Sequence, residues 1–275
     1  MPPLTKPKPN SKGPVEVLRP ASLEDVQALI HSRVEPTDTH IKFLLMGDPG
    51  VGKTYFCATA EDALMIVTEG SISLGTLAYA QEALGRSIPY ALVDSAAKVD
   101  GLLNYLHEAA RRGDLPYRVV VVDSISRYCE MAGNEIAGGG MILAMEDLDE
   151  DRNRRFWQAL LEHMKQFLLR LQQLPLHVIC TAHVRRDEKT LYPLIFPESL
   201  RRSIAGYFNL VGYMDRVEPL VDSPKAKVSE DTPSRVVYFD RAGVVTKNAG
   251  VKKMPSRMVN PTFADILRVW KGENA

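Results

Sequence analysis

Residues 47–54 read Gly47-Asp48-Pro49-Gly50-Val51-Gly52-Lys53-Thr54, a complete G-x-x-x-x-G-K-T. Glycines let the backbone curl so that successive N–H groups face inward, where they can cradle phosphate oxygens. A helix starting near Gly52 would add its positive N-terminal end. Lys53 is expected to reach the β- and γ-phosphates of a nucleoside triphosphate, and the Thr54 hydroxyl to bind Mg²⁺. The expected nucleotide-binding set is therefore Gly47, Asp48, Pro49, Gly50, Val51, Gly52, Lys53, Thr54 and the following Tyr55.

Such a loop needs a carboxylate on the Mg²⁺ side, at the end of another buried strand. Asp123 closes the valine run 119–122 and is expected to supply it as a second metal residue beside Thr54. The plainer alternative is a helix N-cap for the segment starting at Ser124. Because the next residue is Ser124 and not Glu, the Asp-Glu pair typical of AAA+ motors is absent. The water-activating carboxylate must then come from elsewhere. Glu69, two residues past the apolar run 63–67, stands where strand ends gather ligands and is the expected general base. A surface-loop glutamate is the alternative. With Lys53, these two carboxylates make the expected catalytic set. The triplet Lys98-Val99-Asp100 precedes the Asp123 strand, whereas a guanine-reading motif should follow it, so ATP is the expected nucleotide.

The elements that must position these groups alternate along the chain. Residues 41–46 (IKFLLM), 63–67 (ALMIV), 90–93, 119–122 (VVVV) and 176–180 (LHVIC) are strand candidates. Four consecutive β-branched residues imply a strand covered on both faces, as in a parallel sheet. Residues 99–111 read as a helix with Leu102, Leu103, Leu106 and Ala110 on one face. Residues 151–173 read as a longer helix whose stripe holds Trp157, Leu160, Leu161, Met164, Phe167, Leu168 and Leu171, stopped by Pro175. From Ala205 the pattern turns to β, with 208–214, 235–239 and 244–246, before a last helix over 262–270. The expected fold is α/β: a RecA-like P-loop core, mainly parallel sheet between helices, with a β-rich C-terminal extension. Residues 1–20 carry six prolines and four basic residues and read as an extended arm, either simply disordered or touching nucleic acid. Ser22 reads as a helix start, Gly138-Gly139-Gly140 as a flexible connection, and 21–275 as one domain.

The order GDPGVGKT, Thr68-Glu69-Gly70, VVVVDSIS, a helix with Trp157, and VICTAHV resembles the phage-type RecA-core P-loop proteins. These are AAA-type ATPases that include recombinases able to anneal or load single strands, and the resemblance runs over about 38–271. It implies that Glu69 is the catalytic glutamate. It also implies that His183 senses the γ-phosphate and passes its presence to a DNA-facing loop through Arg185 and Arg186 to Pro197. Alone, a histidine after a strand is as well explained as a packed or solvated residue. The segment Thr246-Lys247-Asn248-Ala249-Gly250 resembles the place where relatives carry Lys and Arg fingers reaching a neighbouring subunit's ATP. Ala249 departs from that pattern, with Lys252 and Lys253 nearby.

Lys plus Arg and Asp plus Glu both number 34, so a broadly basic nucleic-acid binder is excluded while a local basic groove is not. Arg152, Arg154, Arg155, Arg185, Arg186, Arg201 and Arg202 could line one, without interleaved aromatics as a stacking platform. Cys57, Cys129 and Cys180 are far apart, which argues against a disulfide framework or zinc site and for a reducing, cytoplasmic setting. Membrane spans and a signal peptide are not expected. Two readings stay open. One is an ATP-dependent protein of single-stranded DNA, which could assemble as a homo-oligomer with ATP at subunit interfaces. The other is an ATP-dependent assembly or regulatory switch acting on protein partners. A small-molecule kinase fits less well, because the chain ends in β structure and has no arginine-rich helical lid.

Overall fold

Buried, largely apolar runs form the centre of the protein. The computed structural model describes residues 40–138, 150–187, 189–217, 234–248 and 254–273, all within the unit His40–Ala275. The arm 1–20, the helix start at Ser22, Gly139, Gly140, Ala249, Gly250, Lys252 and Lys253 lie outside the described residues.

Six strands run parallel: β1 (Lys42–Met46), β2 (Ala63–Val67), β3 (Tyr90–Leu92), β4 (Val119–Asp123), β5 (His177–Ala182) and β8 (Leu210–Val217). A small antiparallel hairpin, β6 (Val184–Asp187) with β7 (Thr190–Pro193), forms its own sheet. Antiparallel β9 (Ser234–Tyr238), β10 (Lys247–Asn248) and β11 (Arg257–Val259) extend the main sheet beyond β8. The spatial order is β11-β9-β8-β1-β5-β4-β2-β3, with β10 also on β8. This is an α/β RecA-like fold with a β-rich C-terminal extension. In it, β5 lies between the strand that leads into the phosphate loop and the strand that ends in Asp123.

Alternation along each strand sends side chains to two separate cores. Leu44, Met46, Val120, Val122, Val178 and Cys180 join the core under helices α3 (Ala96–Arg112), α4 (Ile125–Ile136) and α5 (Glu150–Gln173). Phe43, Leu45, Met65, Val119, Val121 and Ile179 join the other, under α1 (Lys53–Ala58), α2 (Ser71–Leu84) and α7 (Phe263–Trp270). Both faces are covered, which is why the runs are continuously apolar. Each buried valine of β4 contributes roughly 1.5–3 kcal/mol. That is enough, summed over the run, to hold a strand whose last residue is a buried carboxylate.

Several elements differ from the sequence expectation. Helix α3 begins at Ala96, capped by Ser95, whose side chain accepts from the Lys98 N–H. Its buried face is Ala96, Val99, Leu103, Leu106 and Ala109, leaving Leu102 and Ala110 half-buried at its margin. In α5, Phe156 takes a buried place and Trp157 packs beside it, half-buried and edge-on. Residues 244–246 do not form a strand. Val244 makes an isolated bridge with Leu191, and pairing resumes at β10. The short helix α6 (Glu198–Ser203) completes the labelled elements. Among the described residues no helix is long and apolar enough to cross a membrane. Cys57, Cys129 and Cys180 are buried and unpaired.

Candidate active site at the carboxyl edge of the sheet

The phosphate loop leaves β1 and doubles back over the ends of its neighbours. The Gly47 N–H donates to the Ala182 carbonyl at 3.2 Å, fixing the loop's start to the end of β5. A Cβ on Gly47 would lie 2.6 Å from the Met214 carbonyl oxygen, so only glycine fits there. Gly52, at φ +104°, makes the left-handed turn into α1. Between them Asp48, Pro49 and Gly50 are exposed, while Lys53 is buried. Its ammonium donates to the Gly47 carbonyl at 2.8 Å and the Asp48 carbonyl at 2.9 Å. Burial pulls the Lys53 pKa down, opposed by Asp123 and then Glu69.

One residue along, the Thr54 hydroxyl donates to Asp123 Oδ2 at 2.8 Å. The other carboxylate oxygen accepts from Thr181 Oγ1 of β5 at 2.5 Å. Asp123 is buried, and desolvation raises its pKa despite these two hydrogen bonds. The cap of α4 is Ser124, whose side chain accepts from the Arg127 N–H, and Asp123 is thereby left to face Thr54. Hydroxyl and carboxylate oxygens brought together beside a phosphate loop are the hard donors that suit Mg²⁺, which keeps few protein ligands and completes its shell from phosphates and water. No cluster of three or more His, Cys, Asp or Glu able to hold a metal occurs among the described residues.

Glu69 follows β2 on the same edge. Its Oε1 accepts from Ser124 Oγ at 2.5 Å and lies 2.6 Å from His183 Nε2. The carboxylate can only accept when ionised, so Nε2 carries the proton in this pair. Hydrogen bonding to His183 is the main cause holding the Glu69 pKa below its ordinary value, against partial burial. The arrangement is braced from behind. Thr68 Oγ1 donates to the Ser124 carbonyl at 2.9 Å and accepts from the Ser124 N–H at 2.8 Å. The His183 N–H donates to Ser126 Oγ at 3.0 Å, while its Nδ1 is buried without a partner. Beside the pair opens a cleft of about 500 Å³, lined by Glu69, Ile72, Leu92, Arg127 and His183 among others.

A family model described as an AAA domain matches residues 39–249. The chain belongs to the AAA domain family. No curated protein matches it. As an AAA-type P-loop domain it has a nucleotide-binding architecture, and the match spans every element described above from β1 to β10. Within this AAA domain, Ser124 stands beside Asp123 where a glutamate would make an Asp-Glu pair. Its hydroxyl instead binds Glu69, which follows the neighbouring strand β2.

The expected site residues thus converge: Lys53, Thr54, Asp123, Glu69 and His183 share one edge. The arginines expected to line a basic path differ in their surroundings. Arg201 is buried, paired with Asp187 at 3.2 Å and Glu198 at 3.6 Å, and lies over the Tyr192 ring. Arg202 pairs with Glu198 and Arg154 with Asp151. Arg185 and Arg186 stand exposed on β6, directly after His183. Lys247 donates to the Ala205 carbonyl of its own chain at 2.8 Å, which ties it down in place of leaving it extended.

Thr181, Ser124 and Thr68 hold the site together in ways that no motif announces. Thr181 leaves a faint signal, a hydroxyl directly after the apolar run 178–180 of β5. Such a residue in a covered strand must find a partner.

Proposed function

We propose that this chain is an Mg-ATP-dependent ATPase of the phage-type RecA-core kind, with a single domain over 21–275 behind an N-terminal arm, acting on single-stranded DNA in a reducing cytoplasm. The observation that carries hydrolysis is the Glu69 carboxylate fixed by Ser124 and His183 on the same edge as Lys53 and the Thr54–Asp123 pair.

In this reading Lys53 exchanges its bonds to the Gly47 and Asp48 carbonyls for β- and γ-phosphate oxygens. Thr54 and Asp123 would hold Mg²⁺, which would supply neutralisation of charge on those phosphates when bound. Glu69 takes a proton from a water molecule. The water oxygen bonds to the γ-phosphorus as the bond to the ADP oxygen breaks, releasing ADP and inorganic phosphate. Ser124 and His183 hold the carboxylate in line for that water. Because β6 begins immediately after His183, a change at Glu69 when the γ-phosphate is present or absent has a short path to Arg185 and Arg186.

That hairpin supports a strand of DNA as the partner. The apolar lip of the cleft, where Ile72 is 81% and Leu92 51% exposed, supports a second copy or another protein packing beside the nucleotide. That same lip, with the neutral net charge, favours the second reading, a switch acting on protein partners.

Binding of labelled single-stranded oligonucleotide over a salt series tests the DNA reading. Loss of Arg185 and Arg186 together should weaken binding and flatten the dependence of log K on log salt by roughly 0.7 per phosphate contact removed. An unchanged slope, or no binding at low salt, would favour the protein-partner switch.

A further inference from the structure

Arg235, on β9, belongs to no motif, yet its side chain rests across the phosphate loop. A Cβ added to Gly52 would fall 2.3 Å from Arg235 Nε and 2.8 Å from its Cδ, so the arginine stem lies flat on the last glycine of the loop. The guanidinium carbon stands 5.0 Å from the centre of the Tyr55 ring. Arg235 Nε is buried and has no hydrogen-bond partner.

The backbone beneath is pinned. The Arg235 N–H donates to Asn260 Oδ1 at 2.7 Å, and the Asn260 N–H donates to the Arg235 carbonyl at 2.6 Å. A second stacked arginine shows what a purely structural one looks like here. Arg241 lies over Tyr213 and Tyr238 and pairs with Asp215 at 2.8 Å. Arg235 has the aromatic platform without the carboxylate: among the described residues no acidic group forms an ion pair with it. A buried N–H left without an acceptor is destabilising, because its lost hydration is not replaced. An anion placed against Gly52 and Tyr55 would supply both the acceptor and the counter-charge.

We infer that Arg235 is a nucleotide-contacting residue, whose guanidinium, held on Tyr55, takes an oxygen of the α- or β-phosphate. This rests on the nucleotide-binding reading of the phosphate loop. The backbone it covers is the part of such a loop that cradles the α- and β-phosphates, whereas Lys53 serves the β- and γ-phosphates. The contact is therefore common to ATP and ADP.

Titration calorimetry with Mg-ATP and with Mg-ADP on the full chain tests it. Arg235→Met keeps the stem on Gly52 and Tyr55 and removes the charge. It should weaken both nucleotides by a similar factor, about 10- to 100-fold. Its melting temperature without nucleotide should not fall below that of the unsubstituted protein, because the unpartnered N–H is removed. Arg235→Lys, which keeps charge and stem, guards against a folding defect and should recover part of the loss. Unchanged affinity in Arg235→Met overturns the inference, and so does a loss confined to ATP. If the unsubstituted chain binds neither nucleotide, the nucleotide reading itself fails and the inference falls with it.

Discussion

His183 Nε2 lies 2.6 Å from Glu69 Oε1, although 114 residues separate the two in the chain. The strand order creates this pair. β2 delivers Glu69 and β5 delivers His183 to the same edge, with β4 between them contributing Ser124 to the same oxygen. Two donors on one carboxylate oxygen keep it ionised and aimed, and they link the proposed base to the residue that opens the β6–β7 hairpin.

Glu69→Gln should leave nucleotide affinity close to that of the unsubstituted protein and lower kcat by about 10²–10⁴-fold. Single-turnover hydrolysis with saturating Mg-ATP reads this directly. Retained turnover would remove Glu69 from the mechanism.

Asp123 carries a cost that its proposed role explains. Its folded-state pKa is raised, chiefly by burial, so the folded chain holds the proton to higher pH than the unfolded chain. Stability from this group is therefore full below the ordinary carboxylate value, falls as pH rises to the raised value, and stays lost above it. Asp123→Asn should raise the melting temperature of the nucleotide-free protein at neutral pH while abolishing the added stabilisation by Mg-ATP. A variant that melts lower and still gains stability from Mg-ATP would contradict both halves.

The opposite edge of the sheet has its own pH dependence. Burial, with help from His40 and Lys42, lowers the His177 pKa to about 4, and its Nδ1 accepts from the Ile41 N–H at 3.0 Å. The folded chain keeps this ring neutral, while the unfolded chain takes up a proton near the ordinary value of about 6.5. Stability should therefore fall as pH drops from there to about 4. His177→Gln should flatten that part of a urea-midpoint profile; an identical profile would exclude His177 as its source.

What is legible in the sequence is what is local or periodic. The phosphate loop is contiguous, and β4 declares itself by four valines before Asp123. Glu69 and His183 stand out because each follows an apolar run by a few residues, but their contact with one another depends on strand order, which no local pattern states. Thr181 pairs with Asp123 only because β5 lies beside β4. Arg235 reads as an ordinary strand residue, since its neighbour Gly52 comes from a distant part of the chain. The β6–β7 hairpin is hidden for a different reason. Val184-Arg185-Arg186-Asp187 has too few apolar residues to show a strand period, and what shapes it is pairing with β7.

The measurement that bears most directly on the proposed function is ATP hydrolysis at low salt, with and without single-stranded DNA, using Lys53→Ala as the blank. Turnover should exceed the blank and rise with single-stranded DNA, and that rise should be lost as salt increases. Turnover no greater than the Lys53→Ala blank would contradict the ATPase, and turnover indifferent to DNA at every salt concentration would contradict the DNA partner.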